Sequence, residues 1–225
     1  MNSEKQQPLK EFGQIQSCQN YLKIEAEKNL KQQKKLVFNK RFVEREAYCT
    51  VDREVDRGDF CFYENCASEH IYYLHLLLDS LIGRLMLDPT ATTNGFKGQV
   101  TLKRLKDFPV IIPSEDVLRA GVCLDLSIRT IVILARKEND KLFLESAKNL
   151  MEELRDDFVM ELYAKDLFII HNINIVESLV AVVKNREDVP LKEMAPYIMQ
   201  AITAPEGALL SNMRRFRVLL SNHNH

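Results

Sequence analysis

The stretch that decides the fold runs from Pro109 to Arg136, PVIIPSEDVLRAGVCLDLSIRTIVILAR. It opens with an apolar run bracketed by Pro109 and Pro113. Proline cannot donate to a strand ladder, so this predicts a brief strand at a sheet edge. Ser114-Glu115-Asp116 reads as a helix start, because a short hydroxyl side chain caps free N–H groups and two acids suit the positive end of the helix dipole. From Val117 to Arg136 apolar residues cover more than half of a helical circumference, which predicts a deeply packed helix. Strand chemistry gives way to helix chemistry at Pro113-Ser114. The chain is divided there into an α/β domain, residues 1–114, and a helical spacer or interaction region, residues 115–225.

Upstream of that point Gly58, Gly83, Gly95 and Gly98 punctuate short β-branched and aromatic runs. Pro8–Ser17 suits a short strand or half-turn. Leu36-Val37-Phe38, Phe42-Val43, Glu46–Val55 and Phe60–Tyr63 are strand candidates. Ser68 reads as the cap of one helix over His70–Leu87, with a buried face at Ile71, Leu74, Leu78, Leu81, Ile82 and Leu85 that ends at Asp88-Pro89. Thr90–Gly98 is a loop by composition, and Thr101–Phe108 a short polar helix or turn. The fold class is therefore α/β (α+β), with a small irregular mixed sheet and helices in the N-terminal half.

Downstream, Lys141–Lys165 carries a stripe of Ala147, Leu150, Met151, Leu154, Phe158 and Leu162, with Glu152, Glu153, Asp156, Asp157 and Lys165 on the other face. A short polar connection, Lys137–Asp140, predicts that this helix pairs antiparallel with the one before it, in a coiled-coil-like arrangement. Leu167–Val183 suits a third helix, with a strand possible over Phe168–Val176. Helices at Pro190–Ile202 and Glu206–Ser221 complete the chain.

Composition narrows the function. The 225 residues are 46% hydrophobic and 28% charged, the balance of a globular chain with a real core. The net charge of −1 excludes coating nucleic acid by charge alone. The charge is uneven, however: residues 1–58 hold 12 Lys/Arg against 9 Asp/Glu. Lys28, Lys31, Lys34, Lys35, Lys40 and Arg41 form a basic run without an acid, a pattern that suits a binding surface or a plain solvated face. No apolar run approaches the roughly 18 residues that span a bilayer, and the N-terminus has no apolar stretch like a signal peptide's. The five cysteines follow no disulfide spacing. A reducing, cytoplasmic setting without membrane contact is expected.

Catalytic signatures are missing from the sequence. There is no G-x-S-x-G elbow, Walker loop, G-x-G-x-x-G or H-E-x-x-H. Cys61, Cys66, His70 and His75 form C-x4-C-x3-H-x4-H, which matches no common zinc spacing and is better read as core packing. The paired acids read as solvated helix faces. No catalytic residue, metal or cofactor is expected. Thr92–Gln99 is the more suggestive stretch, because Asn94, Lys97 and Gln99 offer an amide, a cation and an adenine-reading edge just before Lys103, Arg104 and Lys106. Such a set can grip phosphates and read bases, although a plain turn has the same composition.

The order of these pieces resembles a target recognition domain from the DNA-specificity subunit of type I restriction–modification systems. The likeness rests on Pro8–Ile15 as an opening strand and on Val55-Asp56-Arg57-Gly58-Asp59-Phe60 as a "GD" turn. It continues through the tyrosine–leucine helix from Ile71 to Gly83, then Gly95–Gln99 followed by Val100–Ser114. It covers about half the chain. The resemblance implies a non-catalytic subunit that reads double-stranded DNA through Asn94, Lys97, Gln99, Lys103, Arg104, Lys34, Lys35 and Arg41. It also implies spacer helices from Val117 to Lys165 that dock a methyltransferase subunit and a restriction subunit. The family carries two such domains per chain and this chain one, which implies a homodimer through the C-terminal helices or a relic put to another use. A protein-interaction module that keeps the fold without binding DNA is the alternative. Residues 166–225 have no counterpart in the family.

Overall fold

Alternating side chains leave a strand with two faces, so consecutive buried residues mean that both faces are covered. Leu36, Val37 and Phe38 are all buried, as are Cys61 and Phe62. The computed structural model describes residues 5–17, 35–38, 49–51, 60–64, 70–87, 100–137 and 141–222. By its contacts the chain divides into two compact units, Met1–Ile112 and Pro113–His225. The class is the α/β one expected, with the described strands confined to the first unit.

In the first unit the order is β1 (Gln6–Pro8), a 3-10 turn (Leu9–Glu11), β2 (Gly13–Ser17), β3 (Lys35–Phe38), β4 (Cys49–Val51) and β5 (Phe60–Glu64). Helices α1 (His70–Asp79), α2 (Leu81–Leu87) and α3 (Leu102–Asp107) follow, then β6 (Pro109–Ile111). In place of one mixed sheet, these strands make two antiparallel ones: β1 with β6, and a four-stranded sheet in the order β2-β5-β3-β4. Pro8 faces Pro109 in the two-stranded pair. With a proline on each side, that ladder loses donors and stays short, as an edge pair does. The strand candidates at Phe42-Val43 and over most of Glu46–Val55 lie outside the described residues, as do Ser68 and Thr90–Gly98.

The single helix expected over His70–Leu87 is two helices. The Ser80 hydroxyl accepts the Gly83 N–H at 3.1 Å and donates to the Leu77 carbonyl at 2.7 Å. It thereby caps α2 as it closes α1. Arg84 clamps the joint, with its guanidinium 2.7 Å from Asp79 Oδ1 and 3.0 Å from the Asp79 carbonyl. The new helix points elsewhere, so Leu81 and Leu85 are exposed rather than buried. Only glycine fits at position 83, because a Cβ there would collide with the Leu77 carbonyl oxygen and lie 2.9 Å from that of Leu78. Helix α1 itself is buried nearly all round, and the Tyr73 hydroxyl donates to the Ile111 carbonyl at 3.2 Å, tying α1 to β6.

The second unit is helical throughout its described residues: α4 (Glu115–Lys137), α5 (Lys141–Tyr163), α6 (Lys165–Ile170), α7 (Ile175–Lys184), a 3-10 turn (Leu191–Glu193), α8 (Ala195–Thr203) and α9 (Ala208–Asn222). Helix α4 is the central element and packs on α5, α7, α8 and the 3-10 turn. The two 23-residue helices α4 and α5 pack along each other, which a three-residue connection permits only in the antiparallel sense. Met151, Leu154 and Phe158 of the predicted stripe are fully buried.

The third helix expected over Leu167–Val183 is interrupted, and no strand forms in it. Asn172 adopts φ 52, the left-handed conformation that asparagine tolerates better than most residues. Its N–H donates to the Ile169 carbonyl, and the Ile173 N–H to that of Phe168. This is a Schellman stop, which closes α6 before α7 begins. Phe168 is thereby aimed inward and meets Phe216 of α9 with ring centroids 4.6 Å apart.

Candidate nucleic-acid interface

The short helix α3 holds Lys103 and Arg104, two of the three residues of the predicted interface that the structure describes. Thr101 is extended and its hydroxyl accepts the Arg104 N–H at 3.3 Å, so the helix starts where the cap allows. Leu105 and Phe108 are buried, and the Phe108 carbonyl accepts the Leu9 N–H at 2.8 Å. Fixed at its cap, its apolar side and its exit into β6, α3 presents Lys103, Arg104 and Lys106 to solvent. The 3-10 turn packed beside it adds Lys10, whose ammonium lies 3.4 Å from Asp107 Oδ1. Four cations therefore gather with two acids, Glu11 and Asp107. A rigid cationic element of this kind can hold phosphate oxygens at fixed positions.

The expected site residues divide three ways. Lys103 is exposed and makes no ion pair with any described residue. Arg104 is exposed too, but one of its guanidinium nitrogens donates to the Leu87 carbonyl at 3.2 Å, so it also closes the last turn of α2. Lys35, half-buried, begins β3 and stands level with Gln14 across β5. Opposed residues share a sheet face, which places Lys35 with Gln14 and Gln16, the latter donating to the Gln14 side-chain oxygen at 3.2 Å. Asn94, Lys97, Gln99, Lys34 and Arg41 lie outside the described residues. Sequence reasoning passed over Lys10, Gln14 and Gln16 as site residues. The alternation Gly13-Gln14-Ile15-Gln16-Ser17, with Ile15 buried, is the signal that puts the two glutamines on the outward face.

The zinc-like tetrad is dispersed by character. Cys61 is buried in β5, His75 is buried in α1, His70 is exposed, and Cys66 lies outside the described residues. Among the described residues no three His, Cys, Asp or Glu side chains gather as metal ligands would.

One acid of α5, Asp157, departs from the solvated face expected of it, and Glu161, outside that expected face, is buried as well. Asp157 is buried, its Oδ2 has no hydrogen-bond partner, and burial pushes its carboxyl up to about 7. Arg217 of α9 opposes that shift, sitting 2.6 Å from Glu153 Oε2 and 3.8 Å from Asp157 Oδ2. One turn further on, Glu161 is buried and likewise pushed up to about 7, although two backbone N–H groups of α7 pull the other way. Helix periodicity alone cannot distinguish an outer face from one covered by a later helix, and α7 and α9 both pack against α5. In α4 the Cys123 thiol is pushed up to about 12 by burial, beside the Leu191 carbonyl at 3.9 Å. Such a thiol stays protonated and is a poor nucleophile.

Among the described residues no helix is long and apolar enough to cross a membrane. Comparison of the chain with protein-family models, with curated proteins and with solved structures finds no match.

Proposed function

We propose that this chain is a non-catalytic DNA-recognition subunit of a restriction–modification (methyltransferase) complex, working in the cytoplasm. Its N-terminal unit reads duplex DNA, and its helical unit docks methyltransferase and restriction subunits or a second copy of itself. The observation that carries the reading is the exposed pair Lys103 and Lys106 on a capped, anchored helix beside Lys10. Fixed cations contribute to phosphate binding by releasing counterions, so a chain with net charge −1 can still bind DNA through one local face.

The test is fluorescence anisotropy with random-sequence duplex DNA at low and moderate salt. Each phosphate contact contributes about −0.9 to the slope of log affinity against log salt, so a face of two or three contacts gives a slope of about −2 to −3. Lys103→Glu with Lys106→Glu should weaken binding at least tenfold. A folded protein that shows no binding at low salt overturns the reading.

A second reading, a protein-interaction module without DNA binding, is favoured by one feature. Leu142 and Phe143, adjacent apolar side chains at the start of α5, are 85% and 65% exposed. Absence of DNA binding together with self-association lost on Leu142→Glu would select it.

A further inference from the structure

The helical unit carries a groove with its own chemistry. It is a cavity of about 580 Å³ lined by His171, Ile173, Arg214, Arg215, Val218, Leu219 and Asn222. The Schellman stop at Asn172 builds one wall. His171 and Ile173, on either side of Asn172, are its lining residues, and just outside the groove Ile169 and Ile170 are 62% and 76% exposed. The other wall is the outer side of α9, where Arg214, Val218 and Asn222 recur at four-residue spacing and so share one face. Leu209, Met213 and Phe216 occupy the buried side of the same helix. Arg215 Nη2 donates to the His171 carbonyl at 3.2 Å and joins the walls. Guanidinium has five N–H donors, so most of those on Arg215 remain available, and Arg214 has no described partner at all. None of the lining residues is acidic.

We infer that this groove is a docking site for an acidic amphipathic helix of a partner protein. The inference deepens the partner-docking half of the proposed function and is independent of the DNA half. Charge selects the occupant. A second copy meeting this face isologously would oppose Arg214 and Arg215 with their own equivalents, and like charges across a contact disfavour it. Single-stranded nucleic acid binds by stacking on aromatic rings, and the aromatic side chains here, Phe168 and Phe216, are buried. A bilayer offers a flat anionic surface, whereas this site is concave. From Arg214 to Asn222 the α9 wall is about 12 Å long, at 1.5 Å per residue. That accommodates about two turns of helix, with apolar anchors at i, i+3 or i+4 and i+7 over Ile173, Val218 and Leu219. Carboxylates beside those anchors would meet Arg214 and Arg215 as charge-assisted, fork-shaped pairs.

The test is selection of a displayed library of 16-residue peptides on the full chain, with vesicles of phosphatidylserine as a parallel arm. Enriched peptides should be net acidic, with Leu, Ile or Phe at the stated spacing. Their affinity should fall at least tenfold on Val218→Asp, and separately on Arg214→Glu with Arg215→Glu, while circular dichroism and melting stay unchanged. DNA affinity should be the same in both variants, so failure of the DNA reading and failure of this one are told apart. No enrichment, enrichment of neutral or basic peptides, or peptides that bind the variants equally well would overturn it. Vesicle binding that is lost on Val218→Asp would instead assign the face to a lipid surface and also overturn it.

Discussion

The carboxylate of Glu161, near the end of α5, accepts the backbone N–H of Ile175, the first residue of α7, at 2.7 Å. The same oxygen accepts the Val176 N–H at 2.8 Å. A helix start that lacks a cap of its own is thus capped from another helix, because Asn174 makes no side-chain cap. Glu161→Ala should lose about 2–3 kcal/mol, the range of hydrogen bonds to a charged group with their buried donors left unmade. Glu161→Gln keeps an acceptor and should lose less than half as much. Urea denaturation at pH 8 measures both, and an alanine variant as stable as the parent would show the cap to be idle.

Asp157 and Glu161 make stability depend on pH in an unusual direction for acids. Both carboxyls are raised from their ordinary values, 3.8 and 4.5, to about 7 in the fold. The folded state therefore binds more protons than the unfolded one between those limits. Stability from this source is complete at low pH and is lost as pH rises through about 7. The melting temperature should fall between pH 5 and pH 8, by the equivalent of on the order of 5 kcal/mol for the pair. Asp157→Asn imitates the protonated form and should flatten the lower-stability end, raising the melting temperature at pH 8 and leaving it nearly unchanged at pH 5.

At the α1–α2 joint, Gly83→Ala should destabilise by about 1–3 kcal/mol, the usual range for forcing a methyl group into packed surroundings. The obstacle is the backbone of Leu77 and Leu78, which cannot step aside as a side chain could. Ser80→Ala removes the cap that starts α2 and should cost about 1 kcal/mol. Thermal melts of the two variants are the check.

Arg104 and Lys103 should separate two roles. Lys103→Ala should weaken DNA binding and reduce its salt slope by about 1 without moving the melting temperature. Arg104→Ala should weaken DNA binding and also lose on the order of 1 kcal/mol of stability, through the Leu87 carbonyl that it leaves unpaired. A Lys103 variant that melts earlier, or an Arg104 variant that does not, would refute this division.

Much of the fold was legible because it depends on local rules. The β6–α4 junction follows from Pro109, Pro113 and the acids after Ser114, and the buried β3 and β5 from their unbroken apolar runs. The two helix-continuity errors share one cause. Ser80 and Asn172 sit inside apolar periodicities that read as continuous helix, and what breaks them is a single side-chain bond or one left-handed residue. Periodicity does not register either. The buried acids of α5 were equally out of reach, since their burial depends on where α7 and α9 return. In the candidate interface, Lys103 and Arg104 could be named because they follow a turn-rich loop. The outward row of Gln14, Gln16 and Lys35 depends on strand register, which no local pattern reports.

Cys61 and Cys123 are both buried free thiols, one in an inner strand of the first unit's larger sheet and one in the central helix of the second unit. Each can be alkylated only while its own unit is open. Peptide-resolved labelling with a thiol reagent would therefore time the two openings independently in one sample. If residues 61 and 123 are modified at the same rate under mild denaturant, the chain opens as one body. If the rates differ, the unit that opens first is also the one most exposed to proteolysis before a partner arrives.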